Sequence, residues 1–168
     1  MKGVYYHMSL FENDEYRWRD TYFVLFQEKD RPSPDATLQA LESLGPHYAV
    51  KDVRYDERGR LESFTLFSPD DFAAMDISCI SGEEVIEQVD GFVKEMSVDQ
   101  PSEQEAQRID RLKRCNARFD VYHFEQVAIG NQDDDDGFFD PGALLLVLQC
   151  LASLCNGTGI DPQTGTIV

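Results

Sequence analysis

The stretch that most constrains this chain is Ala143-Leu144-Leu145-Leu146-Val147-Leu148-Gln149-Cys150-Leu151-Ala152-Ser153-Leu154, which carries no charge and is nearly apolar all round when wound as a helix. Such a helix has no face wide enough for water, so it belongs at the centre of a fold, with a sheet on one side and other helices or a partner on the other. Asp140-Pro141 supplies its entry and Asn156-Gly157 its exit. Leu146 and Leu151 are therefore expected in the main core or in a permanent interface. The helix is about 18 Å long against about 30 Å of bilayer hydrocarbon, so it cannot cross a membrane as one span.

A central helix needs a sheet to pack on, and the rest of the sequence reads as one. Val4 to Leu10 is an extended candidate, and Thr21 to Gln27 a stronger one. Tyr22-Phe23-Val24-Leu25-Phe26 is apolar without alternation, as in a strand covered on both faces. Ser33-Pro34 opens a helix, with a hydroxyl to cap free amides and a proline at its first turn. Leu38, Leu41 and Leu44 form its apolar stripe before Gly45-Pro46. Tyr48 to Tyr55 and Leu61 to Phe67 flank the polar turn Asp56-Glu57-Arg58-Gly59-Arg60 as an antiparallel hairpin.

Ala74 to Ile80 is extended. Ser81 and Glu84 then make a capping-box pattern before a helix whose Val85, Ile86, Val89, Phe92, Val93 and Met96 share a face. Ser102 and Glu105 repeat the pattern before a peripheral, highly charged helix ending near Cys115. Phe119 to Ala128 reads as a strand with Tyr122 and Phe124 on one face, and Asp161-Pro162-Gln163-Thr164-Gly165 as a turn before a short final strand. The fold class expected is α+β, a mainly antiparallel sheet packed with helices. Its middle is compatible with an elaborated ferredoxin-like β-α-β-β-α-β unit, with the buried C-terminal helix added. The length suits a single globular domain over 1–168, with additions to the central unit at 1–18 and 129–168.

Thirty-two acidic against fifteen basic side chains give a formal charge of −17. That field repels phosphate backbones and anionic lipid, so nucleic-acid and membrane partners are disfavoured and a basic protein partner is favoured. The N-terminal residues lack the apolar stretch of a secretory signal, which points to the cytoplasm and to reduced thiols at Cys79, Cys115, Cys150 and Cys155. None of these forms a CxxC pair, and a zinc site with His123 would need assembly over long range.

The most metal-like feature is Asn131-Gln132-Asp133-Asp134-Asp135-Asp136-Gly137-Phe138-Phe139-Asp140. Hard cations such as Ca²⁺ or Mg²⁺ take several oxygens, and Asp133, Asp134, Asp136 and Asp140 are the candidate ligands. With Gly137 at the sixth position of a calcium loop, however, Ala143 stands where the bidentate glutamate is needed. Four adjacent carboxylates repel one another and spread into water, so the primary reading is an acidic connection in which Asp140 caps the next helix. His123 could pair with one of these aspartates or with Glu125 for acid–base work, or be an interior or surface histidine with no such role. No nucleophile elbow or phosphate loop is present, since Gly157-Thr158-Gly159 follows a helix where a phosphate loop precedes one. Two functions remain. One is a noncatalytic acidic interaction or accessory protein, binding a basic partner or self-associating through an apolar surface, with no cofactor. The other is a small divalent-metal-dependent enzyme or ligand-binding domain using the acidic turn.

Overall fold

The computed structural model describes residues 9–96, 99–127 and 142–168. It is α+β, with one seven-stranded sheet in the order β2-β3-β4-β5-β1-β6-β7, and every pairing in it is antiparallel. The strands are β1 (Tyr16–Phe26), β2 (Ala49–Tyr55), β3 (Leu61–Ser68), β4 (Ala73–Ser81), β5 (Ala117–Gln126), β6 (Thr158–Asp161) and β7 (Thr166–Ile167). The helices are α1 (Pro34–Glu42), α2 (Glu83–Met96), α3 (Glu103–Lys113) and α4 (Gly142–Cys155). The middle of the chain has three consecutive strands and then two helices, where the minimal β-α-β-β-α-β unit has two strands and one helix.

The apolar run in β1 explains the layering. Val24 and Phe26 belong to a core shared with Leu41 of α1 and with Leu144, Val147, Leu148 and Leu151 of α4. Phe23 and Leu25 point the other way, into a core formed with Val85, Val89, Phe92 and Val93 of α2, Leu112 of α3 and Ile160 of β6. Helices thus cover both faces of this strand, as an unalternating apolar strand requires. A third, smaller cluster joins Leu10, Ala74 and Phe124 at one end of the sheet.

Local chemistry places most boundaries. The Ser33 hydroxyl accepts the Ala36 amide at 3.2 Å, and the Ser102 hydroxyl accepts that of Glu105, so both serines cap as their positions imply. Ser81 does not open α2. It is the last residue of β4, paired with Ala117, and Gly82 at φ +113° makes the turn into the helix. At the end of α4, Asn156 at φ +52° lets the Gly157 amide bond back to the Ala152 carbonyl at 2.8 Å. Gly157 has to be glycine, because a Cβ there would meet the Leu25 carbonyl oxygen at 2.7 Å and the Cys155 sulfur at 2.9 Å.

Several other expectations need correction. β1 starts at Tyr16 and not Thr21, because its polar first half pairs with Phe124, Glu125 and Gln126 of β5. Leu10, expected at the end of a strand, lies in a 3-10 turn over Leu10–Glu12 capped by Ser9; the rest of that candidate, up to Met8, falls outside the described residues. On α4, Leu151 is fully buried in the main core, whereas Leu146, like Leu145, is 46% exposed and lies outside that core. α4 is therefore covered by the sheet on its inner side and only partly by α1 on its outer side. Ile86 of α2 is likewise exposed.

Candidate functional site

The sequence leaves α4 without a polar face, and the structure leaves part of that apolar surface uncovered. Two adjoining hollows share Leu146 and Gln149. The first, about 430 Å³, is lined by Ala40 and Leu44 from the α1 side and by Cys150, Ser153 and Leu154 from α4. The second, about 400 Å³, continues past Leu145 and the helix start at Gly142 and Ala143 to Tyr48 and Asp71. Together they make one groove along α4 with an apolar floor.

The electrostatics of this groove follow from composition. α4 carries no charge, and α1 carries Asp35 and Glu42 and no lysine or arginine. Asp71 stands in the wall at one end, held by the Ser68 hydroxyl at 2.5 Å. Its neighbour Asp70 lies 3.0 Å from the exposed imidazole of His47. An apolar floor with a carboxylate, Asp71, in the wall at one end suits an apolar ridge that carries a cation at that end.

The candidate ligands Asp133, Asp134, Asp136 and Asp140 all lie outside the described residues, as do Asn131 and the acidic turn as a whole. Among the described residues, no group of three or more His, Cys, Asp or Glu side chains is placed to hold a metal ion. His123 is described. It is fully buried in β5, with Nδ1 2.8 Å from a carboxylate oxygen of Asp20 in β1. The β1–β5 register places Asp20 opposite His123, a pairing of residues 103 positions apart that the local sequence does not suggest. An imidazole with no exposed surface cannot meet a substrate in this conformation, so the pair serves to fix β1 on β5.

A second ionic group is also built into the sheet. Arg118 donates to Asp120 through Nε at 2.6 Å, bonds to Gln88 of α2, and lies 4.6 Å from the centre of the Phe23 ring. Burial raises the Asp120 carboxyl above its ordinary range while Arg118 pulls it back. The arrangement ties α2 to the sheet, since each charge has a partner inside the packed layer.

All four cysteines are free thiols. Burial pushes Cys79 and Cys115 up to about 11 and Cys155 up to about 12, and raises Cys150 as well. The Cys155 thiol also donates to the Leu151 carbonyl at 3.0 Å. Thiols held this far from ionisation are poor nucleophiles at neutral pH. Among the described residues, no helix is long and apolar enough to cross a membrane.

No family model, no curated protein and no solved structure matches this chain.

Proposed function

We propose that this chain is a noncatalytic interaction protein whose α1–α4 groove receives an amphipathic, basic segment of a partner protein. The observation that carries the reading is the groove along α4, where Leu145 and Leu146 are each 46% exposed and Asp71 stands in the wall at one end. Burying two leucines that already stand half in water releases free energy at about 25 cal/mol per Å² of apolar area, and the Asp71 carboxylate, with the net charge of −17, favours a basic flank. Self-association through the same surface is opposed by charge, because two copies at −17 each repel one another. The competing metal-dependent reading rests on the acidic turn and is tested separately below.

The test uses a labelled amphipathic helix of leucine and lysine, against a scrambled peptide of the same composition. Fluorescence anisotropy is expected to show saturable binding of the amphipathic peptide, weakened at least about tenfold by Leu146→Gln, as expected for a well-packed contact residue. Equal binding of the scrambled peptide, or an unchanged affinity in Leu146→Gln, refutes the groove as the site.

A further inference from the structure

On the opposite face of the sheet from α1 and α4 there is a second recess, and its chemistry is different. Thr65 of β3, Asp76 of β4 and Tyr122 of β5 lie in one row by register, alternating with Phe64, Ile77 and Val121, which face the α4 core. α2 and α3 cover β1 and β6 on this face, and the Leu10–Glu12 turn packs on Ala74 and Phe124 at one end of the sheet. A cleft of about 320 Å³ remains, lined by Ser9, Phe11, Asp52, Ser63, Thr65, Asp76, Ser78 and Tyr122 among others, with no lysine or arginine among the described residues of its lining.

Asp76 is the centre of this cleft. One carboxylate oxygen accepts the Thr65 hydroxyl at 2.6 Å and the other accepts the Leu10 amide at 3.4 Å, so the group is oriented but keeps lone pairs available. Among the described residues, no lysine or arginine forms an ion pair with it. The wall is aromatic. Phe11 is 60% exposed and stands edge-on to Tyr122 at 5.7 Å and to Phe124 at 4.8 Å. A ring surface open to solvent above an oriented carboxylate attracts a cation on two counts, charge and quadrupole. The same sheet face already shows this preference, since Lys51, opposite Thr65, holds its ammonium 5.3 Å from the centre of the Phe67 ring.

We infer that this cleft binds a primary alkylammonium group, with Asp76 accepting one N–H, the Ser63 and Ser78 hydroxyls offering further acceptors, and Phe11 and Tyr122 enclosing the alkyl stem. The hydroxyls distinguish a primary ammonium from a quaternary one, which brings charge but no N–H donors. The site is independent of the groove on α4, so either can fail without the other.

The test is a titration of the ¹⁵N-labelled chain with butylammonium chloride at constant ionic strength, following the amides of Thr65, Ser78 and Tyr122. Tetramethylammonium and potassium serve as controls. Saturable shifts are expected with butylammonium, at least about threefold weaker with tetramethylammonium, and absent with potassium. Asp76→Asn keeps the side-chain shape and an oxygen for Thr65, and is expected to weaken binding about tenfold or more. Phe11→Leu alters an exposed residue and is expected to weaken it about threefold. Shifts that grow linearly without saturation, equal responses to all three cations, or full affinity in Asp76→Asn each overturn the assignment. Unperturbed amide positions elsewhere show that the variants are folded.

Discussion

Replacing Leu151 and Leu146 separately by alanine compares two leucines of one helix that the sequence treats alike and the structure does not. Leu151 is fully buried in the core shared by β1, β3, β4, β5, α1 and α4, whereas Leu146 is 46% exposed over the groove. At Leu151 the loss includes the transfer energy of the missing carbons and about 24 cal/mol per Å³ of cavity that fails to close, together about 2 to 5 kcal/mol. For a chain of this size that lowers Tm by roughly 4 to 20 °C, at about 2 to 4 °C per kcal/mol. At Leu146 the side chain is half in water already and alanine is the better helix former, so the cost is about 1 kcal/mol or less. Urea denaturation of both variants and the wild type, at one protein concentration and with unchanged m, measures the difference. Equal losses at the two positions refute the burial argument. A loss at Leu146 that grows with protein concentration places the residue in an interface between copies and refutes the basic-partner reading of the groove.

Two further outcomes follow from the thiols and the acidic turn. Cys79, Cys115 and Cys155 have folded-state values of about 11, 11 and 12, above the ordinary 9.0 of the unfolded chain. The folded chain therefore holds more protons between about pH 9 and 12, so stability is full below pH 9 and falls as pH rises through that window. In the native chain at pH 8 these three thiols are expected to resist iodoacetamide and in urea to react, as mass mapping of the adducts can show; native labelling at the rate seen in urea contradicts their burial. For the acidic turn, Asp134→Asn with Asp136→Asn is expected to leave Tm unchanged or slightly raised, with no saturable gain from Ca²⁺ or Mg²⁺ at matched ionic strength. A saturating increase in the wild type that the double variant loses makes the turn a metal site.

Features set by a few neighbouring residues were legible in the sequence. The caps at Ser33 and Ser102, the hairpin across Asp56 to Arg60 and the stop at Asn156-Gly157 each rest on one turn of backbone chemistry. Ser81 misleads because a serine three residues before a glutamate satisfies the pattern, while the strand pairing with Ala117 claims the residue first. The polar first half of β1 gives no apolar strand signal of its own, because its support comes from β5. Both recesses were hidden for a related reason. The cleft exists only once Thr65, Asp76 and Tyr122 are set side by side by register, and the groove only once α1 is seen to cover part of α4. Periodicity reports how apolar a helix is, not how much of it a neighbour covers.

The position of β1 in the sheet also sets the order in which the protein can be made. Both edges of this strand are filled by segments translated much later, β5 roughly a hundred residues on and β6 later still. At about 5 to 20 residues per second, a ribosome takes roughly 5 to 20 s to deliver the first of them. Throughout that interval Tyr22-Phe23-Val24-Leu25-Phe26 has neither strand neighbour; α2 and α3, which cover one of its faces, emerge only in the later part of it, and α4 only after it. An apolar strand with open edges is what holdase chaperones bind and what nascent chains aggregate through. β2, β3 and β4 pair with one another in sequence and can close as a meander while β1 waits. Closing the sheet therefore depends on β5 entering between β4 and β1, which joins the early-paired strands to the late-paired one.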